Sequence, residues 1–213
     1  MKNMIIVLTE SDLWAERVRD HSILYWSMES MKRLIKGSWV HFVFRESDLN
    51  VNTLQETLSF MPWVKLGDIY PVKNHLPFSY GAMAAFPSFN GTSGAYLFNA
   101  GVVVTPGLTN MGSIDWFAYT DDRGHRSVTP PDSACLPDPI TPIGLYSFSN
   151  FDRFFNASKI DDGLPLEAYN RYQTPDRLVS TKLQGNEVVW VDSLEGIQEF
   201  ESKVVDASLQ INL

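Results

Sequence analysis

The regular alternation of strand and helix patterns in the first 70 residues, and its end at Pro71, most limits what this chain can fold into. Before Pro71, short apolar runs typical of buried strands alternate with amphipathic stretches typical of helices. Residues 71–142 carry most of the proline and glycine and few good helix formers. Helix patterns return in residues 143–213. We therefore predict an α+β fold, a single domain over residues 1–213, in which flanking helices and a mixed or antiparallel sheet surround a strand- and loop-rich middle.

The periodicity of apolar residues predicts the individual elements. Residues 39–44 carry apolar side chains on both faces, which is typical of a central strand. Asn52 with Gln55, and Asp192 with Glu195, have the spacing of capping boxes that open helices. The second helix has an apolar stripe of Leu194, Ile197, Phe200 and Val204. The remaining patterns predict strands at 4–8, 64–70, 101–105, 114–120, 125–128, 145–148 and 187–191. They predict helices at 9–19, 28–35, 52–60, 166–172 and 194–207, and a short helix that begins at 149. A doubly wound α/β fold is the alternative, because the alternation before Pro71 suits it.

Charge and composition exclude several classes of protein. The chain has 17 Lys and Arg against 25 Asp and Glu, a net charge of −8, and its basic residues form no stripe. Because binding to nucleic acid requires neutralising phosphates, we expect no nucleic-acid partner. No apolar run is long enough to span a membrane or to form a signal-peptide core, and Cys135 is the only cysteine. We therefore expect a cytoplasmic protein with no membrane partner.

Common catalytic motifs are missing from the sequence. No two of the four histidines have metal-ligand spacing, and there is no cysteine pair, so we predict no metal site and no cofactor. The segment after the first predicted strand, Thr9-Glu10-Ser11-Asp12, has no glycine and two acids, which is the wrong sign for a phosphate loop.

One polar cluster has the residue types that a catalytic site needs. The segment 119–126 combines carboxylates, guanidiniums and an imidazole directly after a predicted strand. Such a set suits acid–base catalysis or the binding of an anionic substrate, and an exposed hairpin turn is the alternative interpretation. The candidate catalytic residues are Asp121, Asp122 and His125, and the candidate binding residues are Arg123 and Arg126.

A second candidate is the carboxylate that opens a late strand. Gln184-Gly185-Asn186-Glu187, before Val188-Val189-Trp190-Val191, is locally similar to the catalytic-glutamate segment of ADP-ribosyltransferases. In that family the glutamate orients the nicotinamide ribose, and a Gln or Glu stands two residues before it. Here Gln184 stands three residues before Glu187, and the similarity is confined to residues 184–191. Glu187 is therefore a candidate catalytic residue if the protein is an enzyme, and an exposed edge carboxylate is the alternative.

Aromatic residues crowd the middle of the chain. Tyr80, Trp116 and Tyr119 are candidate binding residues, because rigid aromatics interleaved with Gly, Ser and Pro suit a groove or an interface. The alternative is that they form the core of a region with few helices. With no catalytic motif in view, we predict an acidic cytosolic binding or accessory protein, such as an inhibitor, that binds another protein through residues 71–142. The alternative function is a transferase or hydrolase acting on a nucleotide or sugar ligand.

Overall fold

A seven-stranded mixed sheet dominates the computed structural model, which describes residues 4–9, 12–74, 95–105, 108, 115–120, 139–148 and 178–205. The strands are β1 Met4–Thr9, β2 Arg17–Val18, β3 His21–Ser22, β4 Trp39–Arg45, β5 Lys65–Val72, β6 Ala95–Asn99, β7 Val102–Val104, β8 Asp115–Thr120, β9 Thr141–Phe148, β10 Leu178–Leu183 and β11 Val188–Trp190. The helices are α1 Ile23–Ser30, α2 Lys32–Ile35, α3 Val51–Ser59 and α4 Leu194–Val205, with 3₁₀ turns at Asp12–Ala15 and Gly185–Glu187.

The strand order in the sheet is β10-β8-β9-β6-β1-β4-β5. Strand β9 runs antiparallel to β6 and β8, and the other neighbouring strands in the sheet pair in parallel. Strands β7 and β11 form a separate antiparallel pair, as do β2 and β3. Sheet strands and helices thus form the predicted α+β fold, and the early strand–helix alternation gives the parallel strands β1, β4 and β5.

The predicted central strand is confirmed as β4. Val40, Phe42 and Phe44 are fully buried on one face, and Val43 is fully buried on the other. The first face packs against helix residues that include Leu24, Met28, Leu34, Ile35 and Leu54. Burial on both sides explains why the strand shows no polar and apolar alternation.

The predicted helix at 9–19 is wrong. A single 3₁₀ turn, Asp12–Ala15, is followed by the short hairpin of β2 and β3. Arg19 lies at the tip of this hairpin with φ +54°, a backbone conformation that a helix cannot contain. The helix that follows begins after Ser22, whose side chain accepts a hydrogen bond from the Tyr25 N–H. The apolar spacing of residues 13–18 therefore reflects contacts of a turn and a hairpin.

Other helix ends differ from the predictions by a few residues. The predicted helix at 28–35 is two helices, α1 and α2, which meet at Met31, and Gly37 with φ +87° follows them. Helix α3 is capped by Asn50, which accepts from the Thr53 N–H, and α4 is capped by Ser193, which accepts from the Gly196 N–H. The two caps lie two residues and one residue from the predicted Asn52 and Asp192, a difference that the sequence does not resolve, since Asn, Ser and Asp all cap well.

Two strands of the sheet, β6 and β10, were not predicted. The predicted strand at 125–128 and the predicted helices from 149 and at 166–172 lie outside the described residues. Within the ranges that the structure describes, no helix combines the length and the apolar character that crossing a bilayer requires.

Candidate functional site

One edge of the sheet gathers the carboxyl ends of its strands. All strands except β9 run in the same direction, and the antiparallel β9 begins at this edge, where Thr141 pairs with Thr120. We call it the carboxyl edge; its strand-terminal residues are Thr9, Arg45, Val72, Asn99, Thr120 and Leu183. Loops that follow parallel strands converge at such an edge, and ligand sites of open α/β sheets generally lie there.

The chain reverses its direction of winding at β1. From β1 it proceeds outward to β4 and β5, and it then returns to β6 on the other side of β1. Such a reversal is a topological switch point, the place at which open α/β sheets generally bind their ligands.

Asn99, the last residue of β6, has a fixed position at the switch point. Its Oδ1 accepts a hydrogen bond from the Gly101 N–H at 2.8 Å. On the neighbouring β9, Gly144 has φ +76°, and a Cβ built on it would lie 2.8 Å from the Cβ of Asn99. Any other residue at 144 would be strained and would displace Asn99. The two glycines therefore hold the Asn99 side chain between them.

Asp192 lies beside Asn99. The Val191 N–H donates to the Gly101 carbonyl at 2.9 Å, which brings the residues after β11 next to the end of β6. A Cβ built on Gly101 would lie 2.9 Å from the Cβ of Asp192 and 3.2 Å from the Oδ1 of Asn99. The side chains of Asp192 and Asn99, distant in sequence, thus both lie against Gly101 at the switch point. Ser27 anchors this turn from α1 by donating to the Ala100 carbonyl at 2.5 Å.

A cleft of about 550 Å³ opens further along the same edge, between the turn after β1 and the start of α3. We call it the edge cleft; its lining residues are Asp12, Ala15, Ser47, Asp48, Leu49, Asn50, Val51 and Asn52. The loop after β4 is tied to its neighbours on both sides. The Trp14 indole donates to the Asp48 carbonyl at 3.1 Å, and the Glu46 N–H donates to the Val72 carbonyl at 2.9 Å.

The edge cleft is negatively charged. Its lining includes the carboxylates of Asp12 and Asp48 and no lysine or arginine among the described residues. The nearby Arg45 guanidinium donates to the Lys73 carbonyl at 3.3 Å. In the part of the chain that the structure describes, no three His, Cys, Asp or Glu side chains come together in a potential metal site.

The predicted polar cluster lies outside the described residues, as does Tyr80. Asp121, Asp122, Arg123, His125 and Arg126 follow Thr120 directly in the sequence, and Thr120 is the carboxyl end of β8. The catalytic and binding roles of these residues stay predictions.

Two of the three aromatic candidates are buried in β8. Trp116 is 1% exposed and donates from Nε1 to the Thr181 Oγ1 at 2.8 Å, and Tyr119 is 6% exposed. The alternative interpretation, in which aromatics of the middle form a core, describes these two side chains. A binding role for them stays a prediction.

Glu187 has a structural contact that the sequence did not indicate. It ends the 3₁₀ turn after β10, and its Oε2 accepts a hydrogen bond from the Gln184 N–H at 2.7 Å, which completes a capping box. This contact accounts for the Gln184-to-Glu187 spacing without a catalytic function. A catalytic role of Glu187 stays a prediction.

Sequence reasoning missed Asn99 as a functional candidate and treated Asp192 only as a helix cap. Asn99 follows the run Tyr96-Leu97-Phe98, which lies in none of the predicted strands. The usable signal was a short apolar run that ends in a polar residue and a glycine, the pattern of a buried strand that ends in a loop.

The chain shares its fold with solved structures, whereas no protein-family model and no curated protein sequence matches it. A nucleoside-diphosphate-sugar pyrophosphorylase from Vibrio cholerae RC9 matches with a TM-score of 0.74 at 12% identity, over 93% of this chain and 99% of the other. A protein assigned as a glucose-1-phosphate thymidylyltransferase from Bacillus anthracis, solved with sucrose, matches with a TM-score of 0.73 at 10% identity, over 97% and 96%. A UTP-bound UGPase from Acinetobacter baumannii matches with a TM-score of 0.68 at 11% identity, over 96% and 93%.

These matches overturn the main prediction of function. An accessory protein or inhibitor that acts through protein–protein interaction is wrong, because the chain has the fold of nucleotide-sugar pyrophosphorylases and nucleotidyltransferases.

Proposed function

We propose that the protein binds a nucleotide or a nucleotide-linked sugar at the switch point and acts on it as a transferase. The observation that carries this proposal is that Asn99 and Asp192 both lie against Gly101 at the switch point of a sheet whose fold nucleotide-sugar enzymes share over nearly the whole chain. The reaction class named for those relatives is nucleotidyl transfer. In it an oxygen of a sugar phosphate attacks the α-phosphorus of a nucleoside triphosphate, the bond to the β-phosphate breaks, and pyrophosphate leaves.

The charge of the switch point suits a nucleotide only if a cation accompanies the phosphates. Asp192 and Asn99 offer a carboxylate and an amide oxygen, the ligand types that Mg²⁺ prefers, and Mg²⁺ commonly binds to one or two protein oxygens together with substrate phosphates. In this proposal the two residues hold that cation. A bound Mg²⁺ would neutralise the phosphates; the residues themselves orient it at the end of β6.

Additional positive charge is proposed to come from Arg123 and Arg126. They follow in sequence the strand β8, which ends at the carboxyl edge, whereas Thr9-Glu10-Ser11-Asp12 offers no cation after β1. Guanidinium groups bind phosphates in a bidentate way, so two of them would replace the missing phosphate loop.

Titration of the full-length protein with ATP, CTP, GTP, UTP and dTTP, each with Mg²⁺, tests the binding. We expect one of these nucleotides to raise the melting temperature, and to release pyrophosphate when a sugar 1-phosphate is added. The variant Asp192→Asn should lower nucleotide affinity by more than about tenfold, because it removes a charge that the cation needs.

The matched control is Glu195→Gln, an exposed carboxylate in the first turn of α4. It should bind the nucleotide like the unsubstituted protein. The proposal fails if no nucleotide changes the melting temperature and no pyrophosphate appears, or if both variants behave alike.

The same proposal covers the domain organisation, the cellular location and the binding partners of the protein. We propose a single domain in the cytoplasm, where nucleotides and sugar phosphates are available, with a small-molecule ligand and no nucleic-acid partner. The net charge of −8 supports the last point, because it opposes the approach of a polyanion.

A further inference from the structure

The lining of the edge cleft combines polar and apolar groups. Ala15, Leu49 and Val51 contribute an apolar wall, and Val51 is 50% exposed. The remaining lining residues are carboxylates, asparagines and a serine. A volume of about 550 Å³ lies within the usual range for small-molecule sites.

Several polar groups of the edge cleft can form further hydrogen bonds with a ligand. The Asn50 Oδ1 accepts from the Thr53 N–H at 3.1 Å, and within the described residues no hydrogen bond uses its Nδ2. The Asn52 side chain is exposed and has no hydrogen-bond partner among the same residues. The Ser47 hydroxyl donates to the Asp48 Oδ1 at 2.6 Å, which leaves the other oxygen of that carboxylate as an acceptor. The cleft therefore offers donors and acceptors together.

The charge of the edge cleft opposes the binding of phosphates. The amino end of α3 opens there and carries roughly half a positive elementary charge. The carboxylate of Asp48 alone carries a full negative charge, which outweighs the partial charge of the helix end. An anionic ligand is repelled, whereas a neutral ligand that both donates and accepts hydrogen bonds is not.

We propose that the edge cleft is a second ligand site, which binds an uncharged carbohydrate ring through Asn50, Asn52 and Asp48. Sugar hydroxyls donate to carboxylates and accept from amide N–H groups, and the C–H face of a pyranose packs on aliphatic side chains. This site lies apart from Asn99 and Asp192. It goes beyond the proposed transferase function and does not depend on nucleotide binding.

Two-dimensional NMR of the full-length protein, with the Asn50 and Asn52 side-chain amides assigned, tests the site. The probes are methyl α-glucoside, methyl α-galactoside and methyl α-mannoside, each compared with the corresponding 6-phosphate. We expect one neutral glycoside to shift the Asn50 and Asn52 amide signals, and its phosphate to bind about tenfold more weakly.

Variants separate the cleft from the rest of the surface. Asn52→Ala should weaken glycoside binding at least about fivefold, whereas Gln55→Ala, an exposed change on the same helix outside the cleft lining, should leave it unchanged. Asp48→Asn should reduce the difference in affinity between the neutral glycoside and its 6-phosphate to less than about threefold.

Three results would overturn the site: no glycoside shifts these signals, the phosphates bind as tightly as the neutral sugars, or the shifts occur at Asn99 and Asp192 instead. Loss of nucleotide binding in Asp192→Asn with intact glycoside binding would distinguish the two sites.

Discussion

At the scale of a residue, His41 shows how one side chain fixes the pairing of two strands. It is 5% exposed in β4, and its Nδ1 accepts a hydrogen bond from the Asp68 N–H at 3.1 Å. The β4–β5 register shifts here, so Gly67 and Asp68 bulge around the ring, and a Cβ built on Gly67 would lie 2.6–2.7 Å from ring atoms. Burial lowers the pKa of His41, and the Asp68 carboxylate, 3.5 Å from Nδ1, partly opposes this.

This geometry predicts a pH-dependent contribution to stability. Protonation would place a hydrogen on Nδ1 against the Asp68 N–H, so the folded state binds the proton at lower pH than the unfolded chain, where histidine titrates near about 6.5. The stability that His41 contributes is therefore complete above about pH 6.5 and is lost as the pH falls through its lower folded-state pKa.

The variant His41→Asn checks this contribution, because asparagine keeps an acceptor and does not titrate. Urea unfolding of both proteins from about pH 7.5 to about pH 5 should give a free energy of unfolding that falls more steeply with acid in the unsubstituted protein. Parallel curves would show that His41 does not titrate differently in the two states.

At the scale of an element, α4 joins the carboxyl-terminal part of the chain to α1. Phe200 is fully buried and its ring meets the Trp26 ring edge-on, with 5.7 Å between centroids. Ile197 is 8% exposed beside it, which confirms the predicted apolar stripe at these positions. Leu194 is 64% exposed, so its inclusion in that stripe was wrong. It stands at the first position of the helix, where the chain has just left β11.

The variant Phe200→Ala should lower the free energy of unfolding by about 3 kcal/mol, because it leaves a cavity against Trp26. Leu194→Ala, on the same helix, should change it by less than about 0.5 kcal/mol. Urea denaturation measures both. Equal effects of the two substitutions would contradict the packing of α4.

At the scale of the whole molecule, the fold is shared with enzymes of 10–12% sequence identity over more than nine-tenths of the chain. So low an identity preserves a fold because strand order and burial constrain the type of residue and not its identity. It does not preserve a ligand site in the same way, since a site depends on particular side chains.

The proposed single domain predicts one cooperative unfolding transition for residues 1–213. Calorimetry should give equal calorimetric and van't Hoff enthalpies, with a heat-capacity change of about 3 kcal/mol/K for a chain of this length. Two separable transitions would instead divide the chain into domains.

The sequence by itself determined those strands and helices whose residue patterns repeat over a short stretch of chain. The two apolar faces of residues 39–44 predicted β4, and the stripe through Phe200 predicted α4, because each pattern repeats within a few neighbouring residues. The failure of the alternation after Pro71 correctly predicted an α+β fold, and of the two predicted kinds of sheet, mixed or antiparallel, the protein has the mixed one. The hairpin of β2 and β3 was missed, because residues 13–18 also satisfy a helical spacing.

Only the tertiary structure decided the site. Asn99 and Asp192 are 93 residues apart (192 − 99), and both lie beside Gly101 because β11 pairs with β7 and the Val191 N–H donates to the Gly101 carbonyl. The edge cleft likewise needs β1 and β4 side by side in parallel, an arrangement that brings Asp12 near Asp48. Strand order depends on contacts between distant segments, and no local pattern of residues encodes it.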